Sequence, residues 1–186
     1  LPGGFGPVYK SLAAMEEAGG VRRGYFVEGL AGAQFASPGA VDRLRGCDEE
    51  PPADGYREAD VRVLPACDPA NPWGALLPWP ACAAQPRRVA GAWVLAVAGR
   101  AVLYASPGLR HLVSFVAHDV EGRRLIELCL PALRGLRGGA RRLPTIEKLD
   151  GQAAADSPLR ELLLAAGFEA DYKGIIVPGS HARSHA

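Results

Sequence analysis

Between Pro7 and Leu44 the apolar positions change period twice, and each change marks an element. Val8, Leu12 and Met15 recur at helical spacing behind Pro7, whose missing N–H suits a first turn, until Gly19 and Gly20 stop the helix. Its other edge carries Tyr9, Lys10 and Ser11, groups suited to lying against a phosphate backbone. Val21–Val27 then has strand character with Arg22 and Arg23 at its base, Gly29–Gly32 supplies a turn, and Ala33–Ala36 returns as a second strand. Ser37 caps and Pro38 begins a further short helix, Gly39–Leu44. Helix, hairpin and capped helix in this order predict the helix-and-wing half of a winged helix, with Arg22, Arg23 and Tyr25 of the wing against sugar and phosphate.

Periodicity disappears in 46–60, an acidic and proline-rich stretch that reads as a connector. Val61–Ala66 resumes as a strand, followed by an irregular turn-rich loop, Asp68–Gly74. Arg87–Ala98 and Ala101–Ala105 around Gly99–Arg100 make the clearest hairpin, and Leu109–Val116 adds a third strand. The pattern then switches to period 3.6 through Leu125, Ile126, Leu128, Cys129 and Leu133, a helix over 120–136 with Pro131 placed to kink or interrupt it. Arg141–Leu149 reads as a strand, Asp150–Gly151 as a tight turn, and Ser157 and Pro158 as the start of a helix that Gly167 ends. Gly174–Val177 is a closing strand, and 179–186 a disordered tail. The fold class expected is α+β: a partial winged helix over 1–45, an acidic linker over 46–60, and over 61–178 a curved, barrel-like antiparallel sheet with two helices.

Composition narrows this picture. With 186 residues, 48% of them hydrophobic, the chain can bury a real core, and a net charge of +1 means that any nucleic-acid surface must come from local clustering of cations. The most apolar uncharged run, 89–98, is about half the length a membrane span needs, so no membrane partner is expected. Cys47, Cys67, Cys82 and Cys129 are irregularly spaced without a C-x-x-C, which fits reduced thiols in the cytoplasm and no metal site. The first residue, Leu1, without a signal peptide, suggests an internal fragment of a longer polypeptide.

Several apparent motifs carry little. Gly3, Gly4, Gly6, Lys10 and Ser11 imitate a phosphate loop, but Tyr9 stands where glycine must precede the lysine. His181 and His185 lie four apart in the tail without a third ligand, and His111 and His118 read as structural histidines, since spacing alone gives no triad. The basic pairs Arg22–Arg23, Arg87–Arg88 and Arg141–Arg142, with Lys10, are the candidates for successive phosphate contacts. Asp68, which opens the loop containing Trp73, is the one carboxylate suggesting base-excision chemistry, against the plainer reading of an Asx turn beside a core tryptophan. No catalytic residue is otherwise assigned.

The segment GGFGPVYKSLAAMEEAGGVRRGYFVEGLAGAQFASPGAVDRLR, with DPANPWGALLPWP and DSPLRELLLAAGF, resembles the carboxy-terminal region of the bacterial large helicase-related (Lhr) family of ATP-dependent superfamily 2 DNA helicases. The resemblance implies an accessory nucleic-acid-binding module in DNA repair that contacts single-stranded or forked DNA and the upstream helicase domains of its own chain. ATP and Mg would be held by those upstream domains, with no cofactor in this fragment. It also implies the winged-helix and barrel architecture of helix-turn-helix-type DNA glycosylases. Their catalytic glutamine motif lies in an earlier segment, and no Q-x-Q occurs here, so the activity does not transfer. Two alternatives remain: part of a base-excision module, or a multimerisation module that uses the apolar hairpin around Trp93 as its contact.

Overall fold

The computed structural model describes residues 5–47, 55–136 and 143–178. The chain divides into two compact units, Leu1–Ala53 and Asp54–Ala186. Arg141, Arg142, His181, His185 and the tail expected over 179–186 lie outside the described residues, as do Gly3, Gly4 and part of the acidic connector.

In the first unit α1 spans Gly6–Glu17, with Pro7 in its first turn, and none of its residues is buried. β1 (Arg22–Gly24) pairs antiparallel with β2 (Gln34–Ala36), Arg23 opposite Phe35. α2 spans Pro38–Arg45, and the Ser37 hydroxyl accepts a hydrogen bond from the Ala40 amide at 3.3 Å, the expected cap. Both strands are shorter than the sequence suggests. A single side chain explains this: Gln34 Oε1 accepts from the Phe26 and Val27 amides, both at 2.8 Å, while Nε2 donates to the carbonyls of Val27 (3.0 Å) and Leu30 (2.9 Å). A carboxamide thus satisfies the backbone of the wing tip, where a ladder would otherwise be needed.

The second unit contains β3 (Val61–Pro65), β4 (Trp93–Val97), β5 (Arg100–Ala105), β6 (His111–Ser114), α3 (Val120–Gly135), β7 (Thr145–Ile146), β8 (Lys148–Leu149), β9 (Gln152–Ala153), α4 (Arg160–Ala165), β10 (Glu169–Asp171) and β11 (Gly174–Ile176). Six strands form one sheet in the order β3-β4-β5-β6-β8-β9, and β10-β11-β7 form a second. The expectation of an antiparallel sheet is corrected in one respect: β6 and β8 run parallel, with α3 in their crossover. Among the described residues no closed barrel is found, since no pairing joins β3 to β9. The single strand expected over 141–149 is two, because the Glu147 and Lys148 amides both donate to the Arg110 carbonyl, at 2.7 and 3.2 Å, and the chain steps from one sheet to the other there.

One sheet face packs on α3 and α4 through Leu95, Val97, Leu103, Ile126, Leu130 and Leu163. The register between β4 and β5 shifts after Leu95, leaving Val102 as an extra residue, so Val102 and its neighbour Leu103 both enter this core. Pro131 does not interrupt α3, and it lies on the exposed side of the helix. Ser157 does not cap α4: its hydroxyl accepts from the Leu159 amide at 3.2 Å and shapes the turn ahead of a shorter helix. The opposite sheet face is covered by the long loop 66–92, whose Trp79 stacks on Phe115 with centroids 5.9 Å apart and meets Tyr104 edge-on at 5.8 Å.

Candidate nucleic-acid interface and a polar cleft

In the first unit the expected contact residues fall into two groups. Arg23 Nη1 donates to the Tyr9 hydroxyl at 3.1 Å, and Arg23 Nε lies 3.4 Å from Glu16, so the wing is tied to the edge of α1 and part of that arginine's charge is neutralised. Tyr9 is also held edge-on against Phe35, at 5.9 Å between centroids. Lys10 and Arg22 are exposed and make no ion pair among the described residues, and Tyr25 is 90% exposed. Strand alternation places Arg22 on the opposite face of the hairpin from Arg23, so the two do not act as a contiguous pair.

The pair in the second unit also divides. Arg88 donates to the carbonyls of Asn71 (2.6 Å), Trp73 (3.1 Å) and Asp68 (3.1 Å), and its guanidinium is committed to holding the loop 66–92 in shape. Asn71, 1% exposed, completes this lock: its Nδ2 donates to Ala66 O at 2.8 Å and its Oδ1 accepts from the Trp73 amide at 3.2 Å. Asp68 accepts from the Ala70 amide at 2.7 Å, the geometry of an Asx turn, with Trp73 half-buried beside the core. Arg87 differs: its carbonyl accepts from the Tyr104 hydroxyl at 3.2 Å and the Val89 amide at 3.1 Å, its guanidinium has no hydrogen bond among the described residues, and its exposed side chain lines a cleft of about 550 Å3 with His111 and Lys148.

A second cleft, of about 370 Å3, opens at the carboxyl ends of the parallel strands β6 and β8 and holds a group that sequence reasoning missed. Ser114 ends β6, His118 lies in the turn that leads to α3, and Asp150 follows β8. Asp150 Oδ1 accepts from the Ser114 amide at 2.6 Å, extending the parallel ladder by one rung, and Oδ2 accepts from the Ser114 hydroxyl at 2.8 Å. His118 Nε2 is 2.9 Å from Ser114 Oγ and 3.2 Å from Asp150 Oδ2. With the hydroxyl hydrogen directed to the carboxylate, both atoms facing Nε2 are acceptors, so Nε2 carries the hydrogen. Nδ1 has no hydrogen bond among the described residues.

The surroundings fix this group. Arg123 Nε donates to the His118 carbonyl at 3.0 Å, and Asp119 caps α3 by accepting from the Gly122 amide at 2.8 Å. A side chain at Gly122 would run into the Ala117 carbonyl, so the turn carrying His118 can lie this close to α3 only with glycine there. Asp150 has φ 51°, a left-handed conformation that aspartate tolerates better than most residues. Ser114 and His118 lie four apart, but Asp150 is 36 residues beyond Ser114, and the parallel β6–β8 pairing is what brings it to them.

Among the described residues two titrations are displaced. A hydrogen bond from Arg110, with Oε1 of Glu147 at 2.8 Å from Nη2 and 3.0 Å from Nε, holds the Glu147 carboxyl below its ordinary value, aided by the charges of Arg110, His111 and Lys173. Burial pushes the Cys129 thiol up to about 12. Among the described residues no cluster of three metal-ligating side chains occurs, and no helix is long and apolar enough to cross a membrane.

Residues 1–56 match the family described as the large helicase-related protein winged-helix domain. The chain is 40% identical over 190 residues to a Mycolicibacterium smegmatis protein named "Lhr helicase/ probable uracil glycosylase", and 37% identical over 177 residues to an Escherichia coli protein named "Lhr helicase/uracil glycosylase". Each alignment takes in 94% of this chain, which spans only 12% and 11% of the lengths of those two relatives.

Proposed function

This chain is an Lhr-family region, and on that premise we propose that it is an accessory nucleic-acid-binding module of an ATP-dependent DNA helicase that works in repair. The ATP-hydrolysing motor and its Mg lie, in this reading, on other parts of the longer protein, and the free thiols fit a cytoplasmic setting. The observation that carries the reading is the bond between the wing's Arg23 and the helix edge at Tyr9, which ties the wing to α1 while Lys10, Arg22 and Tyr25 stay exposed. Such groups hold phosphate and sugar and give salt-sensitive affinity with little sequence preference. Arg88 is left out of the surface because the loop occupies its guanidinium.

The test is binding of the chain to labelled single-stranded, duplex and forked DNA across a salt series. Replacing Arg22 and Arg23 together with alanine weakens duplex binding and reduces the slope of log K against log salt by roughly 1, since Arg23 is already paired with Glu16. Unchanged affinity and slope would remove the wing from the interface. A wild-type chain that binds no DNA at low salt would overturn the whole reading and favour a role in assembly. The relatives' names support a second reading, a contribution to uracil excision, and the observation favouring it is the carboxylate and imidazole on the wall of the 370 Å3 cleft. Release of uracil from a labelled strand by this chain separates that reading from simple binding.

A further inference from the structure

We propose that the cleft at the carboxyl ends of β6 and β8 receives a single unpaired nucleobase, with the phosphates of the same DNA strand lying in the neighbouring cleft of Arg87, His111 and Lys148. The proposal rests on the nucleic-acid reading above and does not require base release.

Charge distribution is the first argument. One cleft presents the Asp150 carboxylate, which repels phosphate, and the other presents the cationic side chains of Arg87 and Lys148, which attract it, while each has one imidazole. A nucleotide is an anion joined to a neutral, hydrogen-bonding ring, and the two clefts match those two parts. They also share a wall. Ala83 lines the first and Ala84 and Gln85 the second, while Asp150 and Gly151 stand one on each side, with the Ala83 carbonyl close against Gly151. A strand passing the Ala83–Gly151 contact has a place for its backbone on one side and for a turned-out base on the other.

The chemistry of the first cleft suits a base edge. Carboxylate oxygens accept, the Gln152 carboxamide both donates and accepts, and the Ser114–His118–Asp150 group is held rigid by the Arg123 bond and the close packing at Gly122. About 370 Å3 lies within the range of small-ligand sites and is ample for one base. Fixed polar groups need no reordering when a base enters, whereas the unstacking cost of a few kcal/mol is smallest for a base already unpaired. The ligand class is therefore DNA with an extrahelical or single-stranded nucleotide, in preference to matched duplex.

The experiment compares binding of the full chain to a duplex with one bulged thymidine and to the same duplex without it. The wild type binds the bulged duplex about fivefold tighter or more. His118→Gln and Asp150→Asn, which can keep the turn because asparagine also accepts the left-handed conformation, bring that ratio to about one while retaining affinity for the matched duplex. Arg87→Glu with Lys148→Glu weakens binding of both duplexes about tenfold and preserves the ratio. In a second measurement, Cys82, which lines the first cleft, is alkylated severalfold more slowly in the presence of bulged DNA, as read by peptide mass mapping, while exposed Cys47 is not protected. A wild-type ratio of one, a ratio retained in His118→Gln, or full alkylation of Cys82 under saturating bulged DNA overturns the proposal. The wing reading fails separately, through unchanged affinity in the Arg22 and Arg23 variants, and that result leaves the ratio untouched.

Discussion

At position 147 a surface carboxylate gripped by Arg110 makes a pH-dependent contribution whose sign is fixed. The folded chain holds Glu147 below its ordinary value of 4.5, so its stabilising effect is fully present above that value and disappears as pH falls through the lower, folded one. Thermal unfolding of Glu147→Gln is expected to differ from wild type by a constant small amount near neutrality, with the two curves converging in acid; divergence on acidification would contradict the assignment. Single residues were also where the sequence was hardest to read. Asp68 and Trp73 drew attention by type, yet the Asp68 carboxylate closes its own turn. Ser114 had no distinguishing neighbour, His118 read as structural, and Asp150 as half of a turn signal. The first two join the third, 36 and 32 residues on, only because two short strands run parallel, a pairing that hydrophobic alternation does not encode.

Elements with strong local signals were legible: α1, the Ser37-capped α2 and α3 fall within a few residues of their expected places, and the β4–β5 hairpin forms about its expected turn although β4 begins at Trp93 and not at Arg87. Local chemistry dominates there, through proline at a helix start, a hydroxyl cap and a glycine turn. The loop 66–92 was legible only as irregular, since its order comes from long-range bonds by Asn71 and Arg88 that no short pattern announces. This predicts that Arg88→Met, which removes a donor from three carbonyls and leaves that of Asn71 without one among the described residues, costs about 1–3 kcal/mol in urea unfolding of the chain. At equal fractions folded, its DNA affinity is expected to match wild type. A variant of normal stability with weakened DNA binding would return Arg88 to the phosphate-contacting set and undo the account of the loop. The bulge at Val102 escaped the sequence for the same reason, since an inserted residue shows itself only against the partner strand.

For the whole molecule, the division of the chain into Leu1–Ala53 and Asp54–Ala186 has an energetic counterpart in how each unit is packed. Among the described residues of the first unit Val41 alone is buried, and α1 leaves Met15 47% and Phe5 52% exposed. The second unit buries both sides of a six-stranded sheet, one under α3 and α4 and the other under the loop 66–92. Apolar burial is the main source of stability, so protection of the two units should differ widely even in one chain. Native-state hydrogen exchange is expected to give amides of α1 and β1 rates about 100-fold or more above those of β4 and β5. That difference also bears on the proposed function: a DNA interface held by Gln34 and the Arg23–Tyr9 bond, over little buried surface, would adapt to a DNA backbone at small cost, whereas the cleft of the second unit is built on strands of the buried sheet. Slow exchange in α1, equal to that of β5, would show that the helix buries its apolar side on something other than its own unit. The wing would then be part of a larger packed assembly, and its open edge would no longer account for DNA binding.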